Sequence, residues 1–325
     1  MATYKEIKGV GFQNFSSDPG NLINGQVWYN TGSSVLKVAE VSTSGTWATG
    51  GNLSTVRSQL AGAGIQTAGL AFGGTANNVE TEEYNGSSWT NGGNLGTGRN
   101  ELAGCGTQTA GLAFGGEGPG GGYAGTTATE EYGGTSWTNG GNLGTSRYRL
   151  AGCGTQTAGL GFGGYRGPPG TRPLAAEEYN GTAWTNGGNL STGRNQLGGA
   201  GTQTAGLAFG GMLSDNTTTN ITEEYDGSSW TNGGNLNVSR KALAAAGTQT
   251  AGLAFGGQPS PNKSLTEEYD GSSWTNSGNM GTGRYQLAGA GTQAAGLAFG
   301  GASPDTAATE EYTGPGTTIE TVTTS

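Results

Sequence analysis

The stretch RNELAGCGTQTAGLAFGG, Arg99–Gly116, decides the fold, together with Thr129-Glu130-Glu131-Tyr132 and Trp137 that follow a glycine-rich gap. The same order of landmarks recurs six times, so the chain is read first as a repeat array. The tryptophans are Trp47, Trp89, Trp137, Trp184, Trp230 and Trp274. An arginine stands ten residues after each, at Arg57, Arg99, Arg147, Arg194, Arg240 and Arg284. A phenylalanine followed by Gly-Gly stands 25 residues after each, from Phe72-Gly73-Gly74 to Phe299-Gly300-Gly301. Length varies only between Gly-Gly and the next Glu-Glu-Tyr, where the six gaps hold 7, 13, 12, 11, 9 and 8 residues. Insertions confined to one connection mark a loop on one face of the array, often the binding face.

Within a unit the pattern predicts four short strands. Strand a is read over Arg99–Cys105, strand b over Thr109–Phe114, strand c over Thr129–Tyr132, and strand d from Trp137 toward Leu143. Turn chemistry separates them: Gly-Thr-Gln, the variable gap, Asn/Asp-Gly-Ser-Ser and Asn-Leu-Gly-Thr. A helical reading fails because glycine recurs in every window and each interior glycine costs roughly 1 kcal/mol relative to alanine. The expected fold is all-β, with one propeller blade per repeat.

Five units are complete, and a sixth begins at Arg284 and reaches Tyr312 without its tryptophan. The missing strand d stands at the other end of the chain, over Trp47–Leu53. Six blades are therefore expected, the last closed by the Trp47 strand. Seven is the alternative, with residues 24–46 and Thr317–Thr324 adding strands. The domain reading is 1–46 as an N-terminal β extension, 47–316 as the propeller, and 317–325 as a tail or closing strand.

In order, the landmarks Arg99, Gly115, Gly116, Tyr132 and Trp137 resemble the kelch repeat, over roughly residues 47–312. The chain departs from it in using alanine and threonine where larger apolar residues are usual, and in a tight Tyr-to-Trp interval. The segment Gly25–Val38 followed by Gly45-Thr46-Trp47 resembles a short β module of bacteriophage tail-fibre and other virion proteins. That resemblance implies a virion location and a docking role for residues 1–46 against other virion proteins.

The chain has 325 residues, 69 glycines, no histidine and a formal net charge of −9. That charge argues against nucleic acid, which needs basic patches to neutralise phosphates. No run of about 18 apolar residues is present, so no membrane insertion is expected, and no secretory signal is seen. Most of the acid is a Glu-Glu pair in every repeat. Adjacent strand residues point to opposite faces, so one glutamate of each pair is expected to meet an arginine of its own or a neighbouring blade, as a structural ion pair at the blade junction. Gln66, Gln108, Gln156, Gln203, Gln249 and Gln293 are expected to satisfy backbone groups at the a–b turn. Cys105 and Cys153 fill a slot that is alanine in the other four copies and are read as small buried residues.

Enzyme chemistry is poorly supplied. The commonest general base is absent, no cofactor or metal site is predicted, and a copper oxidase of the kelch-like type would need histidine ligands. A carboxylate-based enzyme would draw on the acids unique to single loops, Glu117, Asp215 and Asp305. The expectation is a non-enzymatic protein that binds through its variable loops. These carry Tyr123, Tyr165, Arg166, Arg172, Met212, Asp215, Asn262 and Lys263, a set suited to a host-surface glycan or protein. A homo-oligomer is compatible with a fibre component. A cellular kelch-type interaction scaffold and a secreted carbohydrate-active enzyme are the alternatives.

Overall fold

The computed structural model describes residues 13–119, 124–167, 170–259, 262–302 and 304–322. Among these, 28 strands make seven four-stranded sheets, a propeller-like all-β repeat fold. The chain divides into two compact units. One comprises residues 46–314 and the other residues 1–45 with 315–325.

Residues 46–314 hold six sheets, one for each copy of the repeat. In the second copy strand a is Ala103–Gly106, b is Gly111–Phe114, c is Thr129–Tyr132 and d is Trp137–Asn139. All pairings are antiparallel, with Leu112 opposite Cys105, Ala113 opposite Glu130, and Tyr132 opposite Trp137. Strand a starts four residues later than the sequence pattern predicts. Arg99–Leu102 is instead an irregular entry, with Glu101 at φ 52°. Strand d is likewise short and ends before Leu143.

Small residues in strand a let successive sheets pack closely. A Cβ on Gly104 would lie 2.4 Å from Cζ of Phe72 in the preceding copy. The ring of Phe72 also meets Trp137 edge-on, with centroids 4.9 Å apart. Each junction therefore packs a phenylalanine against the next copy's tryptophan and a small residue of its strand a, glycine in every copy but the fifth, which has Ala245, with strand b buried along its length.

Polar side chains complete the scaffold. Arg99 is fully buried; its Nη2 donates to Glu130 Oε1 at 2.9 Å, and its Nη1 donates to the carbonyls of Gly115 and Ala128. The same ion pair recurs as Arg57–Glu82, Arg147–Glu177, Arg194–Glu223, Arg240–Glu267 and Arg284–Glu310. Each pair lies within one copy, the own-blade option of the two expected, and does not sit across the junction. The second glutamate spans the junction instead: Tyr132 Oη donates to Glu83 Oε1 of the preceding copy at 2.6 Å. Gln108 Nε2 spans it too, donating to the carbonyls of Gly69 and Tyr84. The amide thus satisfies the neighbouring copy's strands rather than its own turn. Trp137 Nε1 donates to Thr81 Oγ1 at 2.9 Å.

The two ends of the repeat array meet in one sheet. Strand Thr46–Thr49 pairs with Thr309–Thr313, placing Trp47 opposite Tyr312. This sheet contacts the first copy through the same set of bonds: Tyr84 Oη to Glu311, Gln66 Nε2 to the Tyr312 carbonyl, and Trp89 Nε1 to Thr309 Oγ1.

In the other unit, Gln13–Phe15 pairs parallel with Val27–Asn30, which pairs antiparallel with Val35–Val41. Thr317–Thr321 adds antiparallel to Val35–Val41, so the C-terminal segment is a strand of this sheet. The parallel pair distinguishes this sheet from the six repeats. Asp18 knits it together, accepting from Trp28 Nε1, Asn30 Nδ2 and Lys37 Nζ. Those donors hold its carboxyl below the usual range.

Candidate functional site

The repeated side chains are consumed by the scaffold, so a site specific to this chain must come from positions that differ among copies. The variable gaps are one such set. The structure adds a second, the two residues after each repeat arginine.

The first of these residues forms an isolated bridge with the residue after Gly-Gly. Tyr148 pairs with Tyr165, Asn195 with Met212, Lys241 with Gln258, and Tyr285 with Ala302. The start of each variable loop is therefore anchored on a residue that also varies. The second residue takes a left-handed backbone without being glycine: φ is 59° at Gln59, 52° at Glu101, 57° at Arg149, 54° at Gln196, 53° at Ala242 and 53° at Gln286. Such geometry costs about 1–2 kcal/mol per residue and persists only where the surroundings enforce it. Here a cycle of backbone hydrogen bonds enforces it. Each N–H donates at 2.8 Å to the carbonyl of its counterpart in the preceding copy, and Gln59 donates to Gln286, returning to the start.

The side chains of this cycle line a small cavity of about 90 Å³. Glu101 dominates it. Arg149 Nε donates to both of its oxygens, at 2.8 and 2.7 Å, and Gln59 adds a weaker bond at 3.3 Å. Burial pushes the Glu101 carboxyl up, and the Arg149 guanidinium opposes that shift. The Glu101 carboxylate is thus largely satisfied by the protein itself.

Beside this cavity lies a larger cleft of about 320 Å³, lined by Tyr148, Arg149, Tyr165, Arg172, Asn195, Met212 and Asn216. The Tyr148 and Tyr165 rings meet edge-to-face at 5.4 Å. Arg172 lies over the Tyr165 ring at 5.6 Å and donates to Asn216 Oδ1 at 2.9 Å. Arg149 lies over the Tyr148 ring at 5.3 Å. Asn195 is 1% exposed, and neither its Oδ1 nor its Nδ2 has a partner. Buried polar groups are ordinarily hydrogen-bonded, so an amide unpartnered on both atoms calls for an explanation.

The cleft brings together three of the predicted loop residues, Tyr165, Arg172 and Met212. Asp215 sits next to it but turns back on its own loop, accepting from the Thr217 N–H and hydroxyl. Arg166 is exposed on the loop that carries Tyr165 and does not line the cleft. Lys263 lies elsewhere, over the Tyr285 ring at 5.4 Å. Asn262 begins a short 3-10 turn, Asn262–Ser264. Tyr123 falls outside the described residues. Tyr148, Arg149, Asn195 and Asn216 were missed by the sequence reading. The first three were legible as unlike residues in register, Ser58, Asn100, Tyr148, Asn195, Lys241 and Tyr285 at one position and Gln59 through Gln286 at the next.

Of the acids considered for catalysis, none lines the cleft. Among the described residues no group of three histidine, cysteine, aspartate or glutamate side chains is placed to hold a metal ion, and no helix is long and apolar enough to cross a membrane. Cys105 and Cys153 are buried free thiols, and burial pushes that of Cys105 up to about 12. No protein-family model matches the chain, and comparison with curated proteins finds no match.

Proposed function

We propose that this chain is a non-enzymatic bacteriophage virion protein. In this reading residues 47–316 are a six-bladed kelch-like propeller whose variable-loop face attaches to a host-surface glycan or protein. Residues 1–46 dock it to other virion proteins. The observation that carries the attachment role is the division of labour among side chains. Arginine, glutamate, glutamine and tryptophan repeated in every copy make scaffold contacts. Tyrosine, arginine and asparagine from positions that differ among the copies converge on one cleft. Aromatic and arginine side chains are the types enriched where binding energy concentrates. Among the described residues the cleft lining holds no carboxylate, which favours binding over acid–base hydrolysis.

Six blades are supported by six matching sheets, by the pairing of Trp47 with Tyr312, and by the backbone hydrogen-bond cycle that returns to Gln59. The virion assignment rests on the resemblance of Gly25–Val38 and Gly45–Trp47 to tail-fibre modules.

The test is where the chain resides and what holds it there. It should be found in purified particles, and a chain lacking residues 1–46 should no longer be incorporated. Incorporation of the truncated chain at full level would refute the docking role. Loop-face substitutions that leave adsorption to host cells unchanged would refute attachment.

A further inference from the structure

We infer that the cleft between the third and fourth repeats takes a carboxylate-bearing sugar unit of an acidic glycan. This deepens the attachment reading above and rests on it.

Charge comes first. The chain carries a formal net charge of −9, yet this cleft is cationic. Arg149 is matched by Glu101. Arg172 has no carboxylate within salt-bridge distance among the described residues, and neither has Lys241, whose Nζ lies 3.2 Å from Met212 Sδ on the cleft wall. The nearby Asp215 accepts from the Thr217 hydroxyl and N–H, and these bonds, with a smaller contribution from the Arg172 charge, hold its carboxyl below the usual range. Two cations without a salt-bridge partner, one of them only partly offset by Asp215, favour an anionic ligand on an otherwise acidic protein.

Geometry selects among anions. Arg172 is held from one side by Asn216 and supported on one face by Tyr165, while its buried Nε has no acceptor. A guanidinium oriented in this way presents a planar edge that matches a carboxylate. Asn195 supplies an unpartnered amide nitrogen, with two N–H donors, and an unpartnered acceptor oxygen, from a side chain 1% exposed. A sugar hydroxyl can satisfy both, directly or through a bridging water. The tyrosine pair offers an apolar surface to the C–H face of a sugar ring. A volume of about 320 Å³ lies at the lower end of the range for small-molecule sites.

The experiment is a binding titration of the full chain by calorimetry. The probes are glucuronate, galacturonate, mannuronate and N-acetylneuraminate glycosides, each beside its methyl ester, with inorganic phosphate as competitor. At least one acid should bind. Its ester, which removes the charge and adds one methyl group, should bind about tenfold or more weakly. Arg172→Gln should cause a comparable loss, and Asn195→Ala a smaller one, with the unfolding temperature retained. Should Arg172→Gln unfold the chain, Tyr165→Leu removes the platform without altering charge and should also weaken binding. Equal binding of acid and ester would overturn the acidic ligand while leaving the glycan reading standing. Binding of no acid in the panel would overturn the proposal. If Arg172→Gln still reduced adsorption to cells in that case, the attachment face would survive with a different ligand. Phosphate displacing the acid at equal concentration would show an anion site without sugar recognition.

Discussion

Trp230 Nε1 is buried without an acceptor because Ala176 stands where the other copies place a threonine. In the remaining junctions the indole N–H donates to that threonine, as Trp184 does to Thr129 and Trp274 does to Thr222. Ala176→Thr should therefore supply the missing hydroxyl and raise stability by about 1 kcal/mol. Thr129→Ala should copy the defect at the Trp184 junction and cost a similar amount or more. Denaturant titrations of the two variants, read at constant m-value, check both signs.

The buried Arg–Glu pairs make a larger prediction. Arg99 and Glu130 are 0% and 4% exposed at their side chains, so removing one partner strands the other away from water. Arg99→Met or Glu130→Gln should each cost about 3–5 kcal/mol. The double variant should cost less than the sum of the two, because neither charge is then left alone. A double-mutant cycle by chemical denaturation measures this directly. Strict additivity would contradict the pairing.

Alkaline pH should unfold the repeat region cooperatively. Burial, reinforced by a neighbouring glutamate, pushes Tyr84, Tyr132, Tyr179 and Tyr225 up to about 12, and Tyr269 higher still. An unfolded tyrosine ionises near 10. A group whose pKa is raised on folding contributes stability that is fully present below the unfolded value and is lost as pH rises through the folded one. Stability should hold to about pH 10 and fall steeply between about 10 and 12. Tyr132→Phe should blunt that fall, since it removes one ionising group. Thermal unfolding across this range, followed by near-ultraviolet absorbance of tyrosinate, reads both.

The seam should be as strong as any other junction. Trp47 lies 5.1 Å from Phe255, ring centre to ring centre, and donates to Thr266 Oγ1 at 2.9 Å, as every equivalent tryptophan but Trp230 does with its own neighbours. Trp47→Ala and Trp137→Ala should each cost about 3–5 kcal/mol. A markedly smaller loss at Trp47 would describe an open array with a frayed end. Comparing the two variants in one denaturant series decides between them.

Much of this arrangement was legible because each landmark does one job. Tryptophan and tyrosine face each other across strands d and c, and Gly-Gly ends strand b where the backbone must turn with φ +64° and +100° at Gly115 and Gly116. The left-handed conformation at Glu101 was not legible. Left-handed backbone is ordinarily announced by glycine or asparagine, and here it falls on Gln, Glu, Arg and Ala, enforced by hydrogen bonds from copies distant in sequence. Placing those residues inside strand a hid their convergence. The partition of the two glutamates was also hidden: pattern showed that they face opposite ways, but not that the arginine stays within its own copy while the tyrosine reaches across.

The pairing of Trp47 with Tyr312 sets a waiting time during synthesis. Strand Thr46–Thr49 leaves the ribosome early, and its strand partner Thr309–Thr313 follows roughly 260 residues later. At about 5–20 residues per second this interval lasts on the order of 13 to 50 seconds. For that period an aromatic strand with an open edge belongs to a chain whose other copies can already stack in order. The repeat region is then completed by the return of its own first strand, and a ribosome-stalled chain ending before residue 309 should leave Trp47 open to solvent quenchers.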